Sequence, residues 1–479
     1  MLAFKAFQGA GWLVLSRFVG RLIDFFTLLV LARMLSPADF GIAALATSLV
    51  VVVDTVLEVP VTQALVRLSE VNKDHLDTGF TLNLFRCGLM AFIILCAAVP
   101  FSVLNHEPLL LPLVCVLALG PASRAFASPA MVAFARRMSF RQTFMMEVLG
   151  KFCASVVATI IVFAGGSYWA IVANFVIASV GSSIVSYVLA PYRPALSLSR
   201  FSDFAGFMGW FSSAQLISAL NWQFDRFMIG AFSDRATLGR YAVASDISVI
   251  PTQSIIGPAL QPVMAAFSQI NSDRARVGAA FLKAARFAMV ISIPICFGIS
   301  ATADLATDIL LGAKWKEAAP LLSILALAVA PIPYFQTLYS VSVAIDRPNV
   351  IFRLNATDFC IRILLLPVGF YADSVLGVSY ARLAISLIMF AVYLKSAEAL
   401  LGLPITRQLL NIWKIGFAGL MMIASVMFLR HHLAIVHLQD QLELALVATS
   451  GAGIYGMTLL VLGIRLRAGN GRLELFDRR

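Results

Sequence analysis

Apolar segments long enough to cross a bilayer recur from one end of the chain to the other, and no other feature limits the fold as strongly. A hydrocarbon core of about 30 Å takes roughly 20 helical residues at about 1.5 Å each. By that measure the sequence predicts fourteen membrane-spanning helices, over residues 10–32, 40–66, 79–100, 109–133, 145–164, 167–190, 204–232, 238–267, 284–303, 318–344, 350–371, 375–395, 411–430 and 441–464. The segments are too long, and too little alternating in polarity, for the strands of a transmembrane β-barrel. With 60% of its 479 residues hydrophobic and only 13% charged, the chain lacks the charge of a soluble domain, where about 25% is usual. The expected fold class is therefore an all-α membrane protein.

Lys5 followed by an apolar run mimics a signal peptide, but Arg17, Arg21 and Asp24 interrupt the run and no small-residue cleavage site follows. The segment is expected to stay as the first helix. Placing the amino terminus inside assigns 22 Lys and Arg to cytoplasmic loops and 6 to outer loops, with the other 8 of 36 inside helices. Positive charge concentrates on the cytoplasmic side of membrane proteins, so an even span count with both termini cytoplasmic is predicted. The same asymmetry accounts for the net charge of +11 without nucleic acid, whose binding calls for arginines interleaved with aromatics. The loops are too short for a soluble catalytic domain, and neither GxxxxGK[ST] nor a strand-borne GxGxxG occurs. Cys87, Cys96, Cys115, Cys153, Cys296 and Cys360 lie in or beside apolar runs without metal-ligand spacing. They read as small buried hydrophobes. His431, His432 and His437 read as a solvated outer loop, and no metal or cofactor is expected.

Sliding the chain against itself yields one ungapped register, at an offset of 198 residues. Gly11-Trp12 falls on Gly209-Trp210, Leu22 on Leu220, Phe26 on Phe224, Gly41 on Gly239, Ala44 on Ala242, Ala46 on Ala244, Val51 on Val249, Pro60 on Pro258 and Gln63 on Gln261. The offset carries spans 1–2 onto spans 7–8. An even shift preserves direction, so the halves form a parallel repeat, as in transporters with a central cavity between two bundles. The predicted division is an amino-terminal lobe over 1–200, a second lobe over 201–400, and two extra helices with a basic tail over 401–479.

The stretch Leu31-Ala32-Arg33-Met34-Leu35-Ser36-Pro37-Ala38-Asp39-Phe40-Gly41 resembles the first outer loop of bacterial polysaccharide flippases, which show an LARxLSPxDFG-like loop between two apolar helices. Gly11-Trp12 and the two-lobed layout are similar too. The resemblance is to the polysaccharide transporter branch of the multidrug/oligosaccharidyl-lipid/polysaccharide exporter superfamily, specific over residues 5–70 and topological beyond. It implies a flippase of the bacterial inner membrane that moves undecaprenyl-pyrophosphate-linked oligosaccharide repeat units from the cytoplasmic to the periplasmic leaflet, for exopolysaccharide or O-antigen synthesis. Lipid-linked oligosaccharide, membrane lipids, a polysaccharide polymerase and a chain-length regulator are the partners implied. The basic loop Ser233–Gly239 departs from the pattern. Two other functions stay open: a drug/cation antiporter of the same superfamily, and a membrane glycosyltransferase or ligase.

An ionisable group at mid-bilayer costs about 2.5–3.5 kcal/mol or more, so each one faces a partner or a wet cavity. Arg17, Arg21 and Asp24, spaced i, i+4 and i+7, share one face of the first helix. Arg226, Arg362 and Arg382 add guanidinium groups in later spans. These five arginines are the candidate lining of a cationic cavity that binds pyrophosphate bidentately at staggered depths. The competing reading is that they form interhelical ion pairs or snorkel, Arg362 pairing with Asp358 on its own helix. Asp24, Asp54, Glu58 and Asp225 are candidates for proton or sodium coupling, or else counter-ions to the arginines. Arg86, Arg124 and Lys151 are expected to snorkel at the inner boundary. Pro60, Pro251, Pro258, Pro262, Pro294, Pro331, Pro333 and Pro367 are expected to break helices and supply bend points.

Overall fold

In hydrocarbon a backbone polar group has no water to bond, so each apolar run closes its own hydrogen bonds as a helix. The structure, a computed structural model, describes residues 2–58, 61–67, 70–137, 139–270, 273–433, 439–469 and 472–477. The side chains of residues 2–10, 205–216, 257–266 and 465–477, with some single positions, lie outside that description. In chain order the α-helices are α1 (Leu2–Met34), α2 (Pro37–Val56), α3 (Val61–Arg67), α4 (Lys73–Leu104), α5 (Leu110–Leu117), α6 (Leu119–Ala125), α7 (Val132–Arg136), α8 (Arg141–Phe163) and α9 (Trp169–Leu189). They continue with α10 (Ser202–Phe232), α11 (Arg235–Gln269), α12 (Arg274–Ala301), α13 (Ala303–Leu310), α14 (Ala319–Val329), α15 (Ile332–Ala344), α16 (Pro348–Leu401), α17 (Ile405–Leu433) and α18 (Asp440–Val461). An antiparallel hairpin of β1 (Ile464–Gly469) and β2 (Arg472–Asp477) ends the described chain.

The chain is a multi-pass helical membrane protein. Among the described residues nine helical segments are long and apolar enough to cross a bilayer, or ten when the bent run from Leu110 to Arg136 is one span. Their outward faces are apolar: Phe85 is 64% exposed and Val188 74%, which suits a lipid environment.

Several local expectations are corrected. The run 109–133 is not one rod but α5, α6, a 3-10 turn at Pro129–Met131 and α7, bent by 55°. The short helix α13, with Ala303, Leu305 and Thr307 buried, went unpredicted. Proline does not set the breaks uniformly. α11 continues through Pro251, Pro258 and Pro262, whereas α16 is broken at Asp373 and Ser374, where the backbone leaves helical angles, and not at Pro367. Pro60 lies outside the described residues. Of the six cysteines only Cys296 is buried; Cys96, Cys153 and Cys360 are exposed. In lipid an exposed thiol is as well solvated as a buried one, so apolar surroundings alone did not imply burial.

The described chain divides into two compact units, Met1–Ala242 and Val243–Arg479. In the first, small residues bring helices close. Gly150, Ala154 and Ala158 of α8 form a buried i, i+4, i+8 stripe, and a Cβ on Gly181 of α9 would lie 3.2 Å from the Gly150 Cα. This is the packing expected where lipid supplies no hydrophobic drive between helices. In the second unit an aromatic core joins Phe281, Tyr334 and Phe390 edge to face. The buried Tyr334 hydroxyl donates to Gln408, whose amide donates to the carbonyls of Leu394 (3.0 Å) and Leu403 (2.7 Å).

The 198-residue register reappears as geometry at the start of α2 and α11. Ser36 caps α2: its hydroxyl accepts from the Asp39 backbone N–H at 3.2 Å, and the Asp39 carboxylate accepts from the Ser36 N–H at 3.0 Å. Asp234, which aligns with Ser36, accepts from the Thr237 N–H at 3.1 Å and from its hydroxyl at 2.6 Å. Each cap satisfies amide groups that a helix start leaves unbonded. The two capped ends then cross at Gly41 and Gly239. A Cβ on Gly41 would overlap the Arg235 carbonyl, and a Cβ on Gly239 would overlap the Pro37 carbonyl. Pro37 aligns with Arg235 in the same register, so the contact is reciprocal. Other matches of the register, Gly209, Trp210, Gln63, Pro258 and Gln261, lie outside the residues whose side chains are described.

Two outcomes are expected. Gly239→Ala or Gly41→Ala forces backbone from backbone, and overpacking of this kind costs about 1–3 kcal/mol. A thermal-unfolding scan in detergent should show a fall of several degrees, while Gly453→Ala, whose Cβ meets nothing within 4 Å, should show none. The second concerns Asp234. Burial raises its pKa, but hydrogen bonds from the Thr237 side chain and from the Thr237 and Ala236 amides outweigh this and hold it below the ordinary value. A depressed carboxyl stabilises above its unfolded pKa of about 3.9 and loses that effect as pH falls through the folded value. Asp234→Ala should therefore cost about 1 kcal/mol at neutral pH, with the gap from the parent protein narrowing below pH ~4.

Candidate functional site

Polar side chains within the membrane-spanning helices follow helical spacing, which groups them into seams. On α1, Ser16, Asp24 and Thr27 face α8. The Ser16 hydroxyl donates to Glu147 at 2.6 Å, the Lys151 ammonium donates to Asp24 at 2.6 Å, and the Thr27 hydroxyl donates to the Ser155 oxygen at 2.7 Å. Glu147, Lys151 and Ser155 are spaced i, i+4, i+8 on one face of α8, and Ser16, Asp24 and Thr27, at i, i+8 and i+11, share one face of α1. Gly20, also in the row, leaves space for the Lys151 stem, whose Nζ would stand 3.4 Å from an added Cβ.

Arg17 and Arg21 follow Ser16 and Gly20 by one residue, and both are exposed. Asp24, seven residues beyond Arg17, lies about 20° from it round the helix, and its carboxylate pairs with Lys151 of α8. The seam and its flank hold the cations Arg17, Arg21 and Lys151 against the carboxylates Asp24 and Glu147, an excess of positive charge along α1.

A second cluster joins α2, α4 and α6. Asp54 accepts from Arg86 at 2.5 Å and from Arg124 at 2.7 Å, and Arg86 also donates to the Asp54 carbonyl at 3.1 Å. The Asp54 and Arg86 side chains are 15% and 16% exposed, Arg124 49%. One carboxylate between two guanidinium groups is a net cation. Arg86, Arg124 and Lys151 therefore do not simply snorkel: each reaches a carboxylate on another helix, because an ion pair removes more of the cost of burial than an interface several turns away. Their partners sit on different helices, and spacing within one helix carries no signal for that. The Glu147/Lys151 pair of positions, i and i+4 in a single predicted span, was the one hint available.

Asp225 is buried near the C-terminal end of α10 and accepts a 2.5 Å hydrogen bond from Tyr241, itself fully buried. Its neighbour Arg226 is half-buried, and Glu58 is half-buried beyond the last turn of α2. In the second unit Arg362 and Asp358 form the i, i+4 pair anticipated as the competing reading, 3.0 Å apart and 16% and 15% exposed. Arg382 is buried in α16 beyond its break. In the same unit Arg430 joins α17 to α13 and α18, donating to both oxygens of Asp304, to the Ala301 carbonyl and to Glu443. That brace was not anticipated. His437 lies outside the described residues, and among the described residues no three His, Cys, Asp or Glu side chains form a metal-holding group.

Arg362, Arg86 and Arg124 are held by carboxylates, and Arg17 and Arg21 are exposed one turn apart on α1. Planar forks presented in this way match the oxygens of phosphate esters.

A family model described as polysaccharide biosynthesis protein matches residues 30–320. The chain is 26% identical over 329 residues to the succinoglycan biosynthesis transport protein ExoT of Rhizobium meliloti (strain 1021), a match covering 67% of this chain and 65% of that protein. It is 22% identical over 427 residues to the lipopolysaccharide biosynthesis protein WzxC of Escherichia coli (strain K12), covering 85% and 84%. Among solved structures it superposes on lipid II flippase MurJ in an inward closed conformation with a TM-score of 0.73, at 14% identity, over 93% of this chain and 97% of that one. The last likeness establishes the fold.

The Asp54 cluster yields a direct check. Asp54→Asn should lower thermal stability by leaving two adjacent guanidinium groups without their counter-ion. Pairing it with Arg86→Met should recover part of the loss, with a coupling energy of about 0.5–3 kcal/mol in a double-mutant cycle. Strict additivity would show that the pair is not formed.

Proposed function

We propose a function from one premise: this chain belongs to the polysaccharide biosynthesis protein family, whose model covers residues 30–320. It is a flippase that carries lipid-linked oligosaccharide repeat units, with an undecaprenyl-pyrophosphate anchor, from the cytoplasmic to the periplasmic leaflet of a bacterial inner membrane. The observation that carries the reading is the exposed Arg17/Arg21 pair on a membrane-spanning helix, in a family concerned with polysaccharide synthesis. A diphosphate cannot enter hydrocarbon without fixed counter-charge, and two forked cations one turn apart supply it. The named relatives include a succinoglycan biosynthesis transport protein and a lipopolysaccharide biosynthesis protein. The reading is of a transporter and not an enzyme.

The topology belongs to the same proposal. Counting α16 as two traverses on either side of Asp373–Ser374, the bent run Leu110–Arg136 as one, and adding the long charged helices α1, α10 and α11 to the apolar ones gives fourteen crossings. With the positive-inside asymmetry, both termini are cytoplasmic. Arg226, Arg362 and Arg382 extend the cationic path at other depths, Arg362 exchanging Asp358 for substrate phosphate. Asp24 and Asp54 act as counter-ions that fix the arginine helices. Glu58 and Asp225 are the carboxyls assigned to ion coupling. A polysaccharide polymerase and a chain-length regulator receive the exported unit.

The deciding assay reconstitutes the purified chain in liposomes and follows a lipid-linked oligosaccharide across the bilayer. Movement of a fluorescent organic cation with the lipid-linked sugar left in place would make the protein a drug antiporter instead. Arg21→Ala should reduce flipping at least about tenfold, the effect of losing one charge-assisted contact, without lowering the amount inserted in the membrane. Arg21→Lys should fall between, since a point charge replaces a bidentate fork.

A further inference from the structure

The connection between α9 and α10 is built unlike the other loops. Pro191 and Pro194 hold it extended, and α4 pins it by side chains that the loop itself covers. Asp77, 4% exposed, accepts from the Tyr192 hydroxyl at 2.8 Å and from the Ala195 N–H at 2.9 Å. One turn further along α4, the Thr81 hydroxyl oxygen accepts from the Ser197 N–H at 3.0 Å; back one turn, Thr78 accepts from the Arg200 N–H at 3.4 Å. The loop therefore climbs α4 from Asp77 to Thr81 and returns.

Its tip is apolar and its base is basic. Leu196 and Leu198, 72% and 46% exposed, sit two residues apart, hence on one side of an extended chain. Together with Leu84, Phe85, Gly88 and Leu89 of α4 they line an apolar slot of about 590 Å³, within the range of about 300–1,000 Å³ found for small-ligand sites. Gly88 keeps the slot open: a Cβ there would meet nothing within 4 Å, so helix packing does not require the glycine. Arg193 and Arg200 at the two feet of the loop, and Lys73 at the start of α4, are exposed, opposed by the exposed Asp74. An apolar tip above a basic base is the pattern of a segment seated at the boundary of headgroups and acyl chains.

We propose that this loop and α4 bind one anionic glycerophospholipid of the surrounding membrane, an acyl chain lying in the slot and the headgroup phosphate held by Arg193 and Arg200. The buried Asp77 sets the height of the loop and so the depth at which the lipid is held. The site lies on the side that the Lys/Arg asymmetry assigns to the cytoplasm, and it stands whether or not the chain is a flippase.

Native mass spectrometry of the full chain in detergent, offered phosphatidylglycerol or phosphatidylcholine of matched acyl chains, tests it. The parent protein should retain phosphatidylglycerol several-fold better. Arg193→Ser with Arg200→Ser should bring the two lipids to parity, and Gly88→Phe should lower retention of both. Should Gly88→Phe fail to fold, Leu196→Ser with Leu198→Ser, which alters only exposed positions of the tip, carries the same expectation. Equal retention of both lipids by the parent protein, or undiminished phosphatidylglycerol in the variants, overturns the proposal. So does displacement of phosphatidylglycerol by equimolar undecaprenyl phosphate, which assigns the slot to a polyisoprenyl lipid.

Discussion

A charge inside a bilayer must be answered locally, and most of the polar architecture of this protein follows from that requirement. Lys151 answers Asp24, Arg86 and Arg124 answer Asp54, Asp358 answers Arg362, and Tyr241 donates to Asp225. Each pairing also joins two helices or stiffens one, so the groups tolerated in hydrocarbon double as the struts of the fold. Water would screen such pairs to near-neutral value; out of water they are worth keeping.

Arg17 and Arg21 are exposed on α1, the helix whose neighbouring row bonds to α8 at Ser16, Asp24 and Thr27. The seam fixes the azimuth of α1, and that in turn fixes where the two guanidinium groups point.

The close crossing of α2 and α11 connects the internal repeat to the packing. A weak sequence register of 198 residues is realised as two equivalent caps, Ser36 and Asp234, and two equivalent glycines, Gly41 and Gly239, that touch each other. Only residues without a Cβ allow backbone carbonyls that near. This is why the glycines match while the side chains around them diverge.

Helix after helix was legible from the chain, because crossing about 30 Å of hydrocarbon demands long apolar runs whatever the neighbours are; the family loop from Leu31 to Gly41 was legible too. The intramembrane charges could be named, and Arg362 with Asp358 could be paired, since both lie on one helix at i, i+4. The break of α16 at Asp373–Ser374 fell between the predicted spans 350–371 and 375–395; what remained hidden was every pairing between helices, the bend at Leu110–Arg136 and the loop laid along α4. Hydropathy and periodicity describe how one helix meets its solvent. Which face of that helix meets which other helix is set by packing, and only the tertiary structure decided which carboxylate holds Arg86, Arg124 and Lys151.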